Sequence, residues 1–355
     1  MKRYGNAFFI GLIFFVISFF LLFANEKSYV NSVKISNFAE RNAIELMANT
    51  ISPANEGKLV QVVGKVYSHQ TLTDGIISVP KSIALFRDTE MYQWKEEKVE
   101  KNSDYTYNYR KIWSRSLIDS DNFNDLTYKN PKTFKYPQRK IYAKNVGLGK
   151  FYLSPEIVHQ IRIVNKMQQL PYNDKFTIYN GFYFTGQNFD TPEIGAQKLF
   201  YSYIPSGITL SVIAQQVGNH LEQMHSKYGD FVIVTNGEKN LSQMLSEYRK
   251  NYLNQTWLSR GLGLFLMFFG LNLIIQPIVN SAKKVPLLGE LTQMAALVIT
   301  FILTLAFGTI AISLCWLALR PEIALPLMIF AVFIIFNLKK KEKIIIPEWQ
   351  IKNSL

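Results

Sequence analysis

Four uncharged hydrophobic runs constrain this 355-residue chain more than any other feature of its sequence. The first covers residues 7–24, and the other three lie near the C-terminus, at residues 261–279, 294–319 and 323–338. About 20 apolar residues in a helix cross the roughly 30 Å hydrocarbon core of a bilayer. The runs therefore predict an integral membrane protein with four transmembrane helices.

The first run could also belong to a secretory signal peptide, because Lys2 and Arg3 precede it. The apolar stretch of a signal peptide is shorter, about 7–15 residues, and ends in a small-x-small cleavage site. Phe23-Ala24-Asn25 fits that site poorly. We therefore interpret the first run as an uncleaved membrane anchor.

Basic residues predict the orientation of the four helices. They cluster before the first run, at Lys283 and Lys284 between the second and third, and at residues 339–343 after the fourth. Four crossings place all three clusters on one side, which the positive-inside rule makes cytoplasmic. Trp257 and Trp316 then fall at the outer boundary, where indole rings are enriched. The predicted parts are a cytoplasmic N-terminus with helix 1 (1–24), an extracytoplasmic domain (25–256), helices 2–4 (257–338) and a cytoplasmic basic tail (339–355).

The net charge of +13 does not indicate a nucleic-acid-binding protein. Residues 25–256 hold 28 basic and 22 acidic side chains, so more than half of the excess lies in the segments that flank the membrane helices. No nucleic-acid partner is expected. The single cysteine, Cys315, excludes an intramolecular disulfide and lies inside the third run, where a thiol behaves as a small hydrophobe.

The extracytoplasmic domain has the pattern of a β-rich α+β fold. Residues 26–50 have loosely helical spacing, and residues 58–67 are β-branched and typical of a strand. Residues 84–100 and 105–118 predict a hairpin whose tyrosines and tryptophans share one parity, as in an aromatic sheet face. The later predictions are a helix at 155–169, strands at 197–203, 209–216 and 231–235, and an amphipathic helix at 241–252 that continues into the second membrane run.

We find no convincing catalytic constellation or cofactor motif in the sequence. It has no phosphate-binding glycine loop, no HExxH and no GxSxG. His220 and His225 are five residues apart, which is not the i, i+4 spacing of one helical face, so surface histidines are the better interpretation than a metal site. We expect no catalytic residue, cofactor or metal.

The predicted membrane helices carry small and mildly polar residues but no charge. Thr304, Gly308, Ala311 and Cys315 follow the 4-3-4 spacing of one helix face, and small residues there allow helices to approach closely. The amides of Asn272 and Gln276 would need hydrogen bonds in hydrocarbon. We interpret these six residues as helix-packing or polar membrane positions, and a pore lining is the alternative interpretation.

Several segments resemble the LUMA family, also called the transmembrane protein forty-three family. They are Asn55–Val60, Phe86–Glu96 with its Met-Tyr-Gln-Trp run, Tyr107–Trp113, Lys129-Asn130-Pro131, Gly270–Leu273 and Arg320-Pro321. The resemblance covers nearly the whole chain, and the Met-Tyr-Gln-Trp segment is its most specific part. The chain departs from the family pattern at Gly195-Ala196-Gln197-Lys198, where relatives show Gly-Asp followed by an arginine.

The resemblance implies a protein of the endoplasmic reticulum and inner nuclear membrane in animals, with the large domain in the lumen. It implies a role in nuclear-membrane organisation through oligomerisation and binding to emerin and lamins, and a channel-related role as well. The Lys-, Asn-, Ile- and Phe-rich composition suggests a bacterial or protist relative. In a bacterium the large domain would lie in the periplasm or outside the cell, and lamins would not be partners. In a eukaryote it would lie in the lumen of the endoplasmic reticulum or nuclear envelope.

Three functions follow as hypotheses. The leading one is a non-enzymatic membrane scaffold, which associates with the lipid bilayer, other membrane proteins and further copies of itself. The second is a channel or channel subunit, in which Asn272, Gln276 and the third-span threonines face water. The third is an extracytoplasmic enzyme that modifies lipid or glycan, for which no residue set can be named.

Overall fold

The computed structural model describes residues 2–101, 104–282 and 289–319, with the single positions 326 and 329. The chain divides into two compact units, each of which is described by itself. One consists of residues 1–38 and 245–355 and is helical in its described parts. The other consists of residues 39–244 and is rich in β-strands.

The helices and strands, in chain order, are α1 Lys2–Asn42, β1 Ile44–Met47, β2 Leu59–Tyr67, β3 Leu72–Thr73, β4 Ser78–Val79, β5 Ser82–Lys101, β6 Asp104–Ser114, β7 Arg139–Tyr142, β8 Gly147–Leu148, β9 Phe151–Leu153, α2 Pro155–Val158, β10 Asn165–Lys166, β11 Thr177–Tyr179, β12 Phe182–Phe184, β13 Gln197–Pro205, β14 Thr209–Val217, β15 His220–Glu222, β16 Ile233–Asn236, α3 Leu241–Ala282 and α4 Gly289–Leu319.

Among the residues that the structure describes, three helices are long and apolar enough to cross a membrane, by length and composition. Their candidate spans, Ala7–Asn42, Leu241–Pro277 and Gln293–Leu319, contain the first three predicted runs almost entirely. Helices α1 and α3 extend beyond those runs, as the helical spacing of residues 26–50 and 241–252 predicts. Apart from the single positions 326 and 329, the predicted fourth helix at 323–338 lies outside the described residues, as do the cytoplasmic tail and Lys283 and Lys284.

The β-rich unit contains a small closed barrel. Strands β2, β8, β9, β15 and β14 form a ring that the antiparallel pairing of β2 with β14 closes, and β1 and β16 extend it at the sides. Alternate side chains of its strands point inward, so Val60, Val62, Leu210 and Val212 are fully buried. The first strand of the unit, β1, and its last strand, β16, both pair with strands of the barrel.

A second sheet packs against the same core. Its strand order is β11-β12-β13-β5-β6, with β10 paired to β13 and β7 paired to β5. Its buried side chains, including Ile83, Leu85, Tyr183 and Leu199, join the barrel residues in one continuous hydrophobic cluster. The β-rich α+β architecture predicted for this part of the chain is therefore present.

Two local predictions are wrong. Residues 44–47, predicted to end a helix, form strand β1, because Leu46 and its neighbours pair in parallel with residues 60–63 of β2. The helix predicted at 155–169 ends at Val158. Its first turn follows Ser154 as expected, but the β-branched run at residues 161–164 favours extended backbone and leads into β10.

The predicted hairpin is confirmed as the pairing of β5 with β6. Tyr92 lies opposite Trp113, with ring centroids 5.0 Å apart, so the predicted cross-strand aromatic contact forms there. Farther along, Tyr109 stacks at 4.0 Å on Tyr128 from the loop that follows β6. Tyr105, near the turn of the hairpin, is exposed. The aromatic side chains of the hairpin are therefore packed only in the part away from the turn.

Asn130 hydrogen-bonds to the edge of strand β5 beyond the residues that pair with β13. Its side-chain Oδ1 accepts from the Trp94 N–H at 2.7 Å, and its Nδ2 donates to the Trp94 carbonyl at 2.8 Å and to Ile118 O at 3.3 Å. The amide thus makes the two bonds that a neighbouring strand residue would make. Gln93 holds the same turn by accepting from the Ile118 N–H and donating to Ser116 O.

We expect Asn130→Asp to destabilise the β-rich unit by roughly 2–4 kcal/mol, because the carboxylate cannot donate to the two carbonyls and meets their negative ends. Hydrogen exchange of the β5–β6 amides in the full-length protein measures the loss. Asn145→Asp, at an exposed position, is the matched control and should leave exchange unchanged. Equal protection in both variants would show that the Asn130 contacts contribute little.

Candidate helix-packing site

Helices α1 and α3 approach each other at two glycines. A Cβ built on Gly270 would lie 2.8 Å from the Gly11 carbonyl oxygen and 2.8 Å from the Phe15 amide nitrogen. A Cβ on Gly11 would lie 2.7 Å from the Gly270 carbonyl oxygen. These neighbours are backbone atoms that cannot rotate away, so only glycine permits the observed distance between the two helices.

The third predicted span supplies the small-residue face. Thr304, Ala311 and Cys315 are buried on α4, and a Cβ on Gly308 would meet the end of the Leu264 side chain. Ala311 packs in an apolar cluster with Leu22 of α1 and with residues of α3. The structure thus brings four of the six sequence-predicted site residues to one side of α4.

The polar candidates bond to their own helices. Asn272 Nδ2 donates to the Phe268 carbonyl at 3.0 Å, and Thr304 Oγ1 donates to the Thr300 carbonyl at 2.7 Å. Gln276 is half-buried on α3. Hydrogen bonds of this kind satisfy a polar side chain in hydrocarbon without a partner helix or water.

A buried ion pair of the helical unit joins two residues, Glu26 and Arg260, that sequence reasoning missed. The Glu26 carboxylate of α1 is fully buried and accepts from two of the three guanidinium nitrogens of Arg260 on α3, from Nε at 2.6 Å and from Nη2 at 2.8 Å. It also accepts from Trp316 Nε1 of α4 at 2.9 Å. We call these three residues the Glu26 cluster. It joins all three described long helices through one carboxylate.

Further polar contacts occur along the same helices. Asn25 Nδ2 donates to the Thr256 carbonyl at 3.2 Å, and Arg249 Nε donates to Ser36 Oγ at 2.5 Å. Arg260 also lies over the Trp257 ring, 4.8 Å from its centroid. Of the two indoles predicted at the outer boundary, Trp316 is therefore a member of the Glu26 cluster, and Trp257 contacts its arginine.

The two histidines considered for a metal site contact different side chains. His220, on β15, lies beside the Tyr152 ring at 5.6 Å, and His225 Nδ1 lies 2.8 Å from Asp230 Oδ1. Among the described residues, no group of three or more potential ligands is arranged to hold a metal ion.

The glycine contacts predict a difference between two matched substitutions. Gly270→Ala should destabilise the helical unit by about 2–3 kcal/mol, because the new methyl group meets backbone atoms. Gly308→Ala should cost about 1 kcal/mol or less, because the Leu264 side chain can rotate. Unfolding in dodecyl sulfate, followed by circular dichroism of the purified protein, compares them. Equal effects would contradict the role assigned to the Gly11–Gly270 contact.

The three long apolar helices in the described part of the chain, together with a folded β-rich unit, define a multi-pass membrane protein. The family model for transmembrane protein 43 matches residues 91–321. The chain belongs to the transmembrane protein 43 family, and the resemblance to the LUMA family is confirmed.

Relatives match over almost the whole chain. Transmembrane protein 43 of Mus musculus is 26% identical over 349 residues, which cover 90% of this chain and 86% of the mouse protein. The Homo sapiens protein is 26% identical over 353 residues, covering 92% and 87%. The homolog of Drosophila melanogaster is 26% identical over 343 residues, covering 90% of each chain. No solved structure matches the chain.

Ala196 and Lys198 pack on an aromatic cluster. Lys198 Nζ lies 4.0 Å from the centre of the Trp113 ring and 5.0 Å from that of Phe189. Burial lowers the pKa of Lys198, although the nearby Glu90 carboxylate acts in the opposite direction. Ala196 is buried in the same cluster. A cation–π contact therefore forms at this position in this chain.

Proposed function

We propose that this protein is a non-enzymatic membrane scaffold, in which a packed helical anchor carries a β-rich domain that binds other proteins or further copies of the chain. The Glu26 cluster is the observation that carries the proposal. Glu26 and Arg260 belong to the two helices through which the chain enters and leaves the β-rich unit, and their buried ion pair holds those helices together. Helices that are held together in this way form a stable anchor for a domain that binds other proteins, as a scaffold requires.

The β-rich unit offers surface for a partner. Within the described part of the chain, β6 pairs only with β5, so its other edge presents free backbone groups over an 11-residue strand. Such an edge can pair with a strand from another chain. The intrahelical bonds of Asn272 and Thr304 support a packing role for these residues over a water-lined path.

The topology is part of the proposal. Both termini lie in the cytoplasm, and residues 25–256 lie on the opposite side of the membrane. In a eukaryote that side is the lumen of the endoplasmic reticulum or nuclear envelope, and in a bacterium it is the periplasm or the exterior. The partners are other membrane proteins and a second copy of the chain.

Copurification from native membranes tests the proposal. The tagged full-length protein is solubilised gently beside a chain in which an unrelated folded domain replaces residues 39–244. We expect a defined set of partners, or a homo-oligomer, with the intact chain only. A monomer without partners in the intact chain would contradict the scaffold and make ion flux in reconstituted vesicles the next measurement.

A further inference from the structure

A basic pocket of about 590 Å³ lies on the outer face of the second sheet. Strands β5 and β7 and the segment 159–164 that follows α2 line it, and Ser202 of β13 contributes to its wall. Volumes of roughly 300–1,000 Å³ are typical of small-molecule sites. The pocket belongs entirely to the β-rich unit and is distinct from the helix contacts described above.

Strand register explains which side chains share this pocket. Phe86 lies opposite Lys140 of β7 on one side and opposite Ser202 of β13 on the other, so all three project from one face of the sheet. Tyr142 lies on the same face and contacts both Phe86 at 5.7 Å and the His159 ring at 4.3 Å. The floor is therefore aromatic, and the segment after α2 covers one side of it.

The charges around this floor are predominantly positive. Arg139, Lys140 and Arg162 line the pocket with His159, and Asp88 is the one carboxylate among the described residues of its wall. Throughout the described ranges, no carboxylate lies within ion-pair distance of Lys140 or Arg162. Arg87, by contrast, is buried and paired with Asp74. Two exposed cations thus converge without a counter-ion.

A second depression of about 400 Å³ continues the first, because Asp88 and Ser202 line both. It adds Lys166 and Arg115, of which Arg115 is paired with Glu90 at 3.2 Å. The cationic rim is therefore longer than a single small anion requires. A ligand with an anionic group and an attached apolar portion would occupy both the rim and the aromatic floor.

We propose that this pocket binds an organic phosphate, with the phosphate oxygens between Lys140 and Arg162 and the apolar portion against Phe86 and Tyr142. A guanidinium offers paired N–H donors and an ammonium adds a point charge, a combination suited to tetrahedral phosphate. The phosphate belongs either to a soluble metabolite or to a phospholipid headgroup, since both present the same oxygens to the site.

Phenyl phosphate is the probe for the purified full-length protein, with binding measured by isothermal titration calorimetry. The variant K140Q/R162Q removes the two exposed cations assigned to the phosphate, and K58Q/K150Q removes two exposed cations from the barrel as a matched control. We expect the pocket variant to bind at least about tenfold more weakly than the wild type, and the control to bind normally. Thermal unfolding checks that both variants fold.

The lipid arm uses phosphatidic acid added to delipidated protein. Its binding to the wild type and displacement of phenyl phosphate identify a headgroup site, whereas binding of phenyl phosphate without such displacement identifies a soluble ligand. Either result supports the pocket if K140Q/R162Q weakens it. Failure of both probes to bind the wild type, or equal binding by the two double variants, would overturn the proposal.

Discussion

Replacement of Arg260 with methionine is expected to destabilise the helical unit by roughly 3–5 kcal/mol, because it leaves the Glu26 carboxylate buried without its cation. Trp316 Nε1 alone cannot replace the two bonds of the guanidinium. Unfolding of the purified protein in dodecyl sulfate, followed by circular dichroism, measures the change. We expect the transition to move to a clearly lower detergent fraction.

The double variant E26Q/R260M separates an unpaired charge from lost packing. The neutral amide that replaces the Glu26 carboxylate can still accept from Trp316, and no charge remains buried, so the double variant should recover most of the lost stability. If the single and the double variant unfold together with the wild type, the Glu26 cluster does not stabilise the anchor.

The second large loss of stability is expected in the β-rich unit, on substitution of Arg87. Its guanidinium donates to Asp74 Oδ2 at 2.7 Å, and both side chains are almost completely buried. Tyr201 donates to the same oxygen at 2.7 Å, and burial together with Asp74 raises the pKa of this hydroxyl, so it stays a donor. Arg87→Met should cost roughly 3–5 kcal/mol, because it leaves the buried Asp74 carboxylate without its cation.

Hydrogen exchange of the β5 and β13 amides in the full-length protein measures this loss. The matched control is D74N/R87M, which removes both charges while keeping an oxygen that can accept from Tyr201. We expect strong deprotection in the single variant and a much smaller effect in the double variant. Wild-type protection in Arg87→Met would show that the pair is not a determinant of this fold.

The sequence predicts the three described long apolar helices because hydropathy is a local property. About twenty consecutive apolar residues identify a span without knowledge of its neighbours. The Glu26 cluster was missed for the opposite reason. Glu26 and Arg260 are separated by 234 residues, and each alone resembles an ordinary charge beside a membrane helix. Only the packing of the helices shows that the Glu26 carboxylate accepts hydrogen bonds from both Arg260 and Trp316.

In the β-rich unit, too, local features were predicted and contacts between residues distant in sequence were not. The strands at 197–203 and 209–216 were predicted from composition, but the closure of the barrel depends on β14 pairing with residues 59–65 of β2. Register between segments so distant in sequence depends on burial of both faces and has no local signature. The pocket was missed because Lys140 and Arg162 converge only through the pairing of β7 with β5 and the course of the segment after α2.

The side of the membrane on which the β-rich domain lies is the most direct test of the proposed scaffold. Cys315→Ser removes the only cysteine, and single cysteines then replace Lys58 in the domain or Lys284 between the second and third predicted helices. Spheroplasts of a bacterial expression host are treated with a membrane-impermeant maleimide. We expect labelling at position 58 in intact spheroplasts and at position 284 only after permeabilisation. Labelling of both positions under the same condition, or in the reverse order, would contradict the proposed topology.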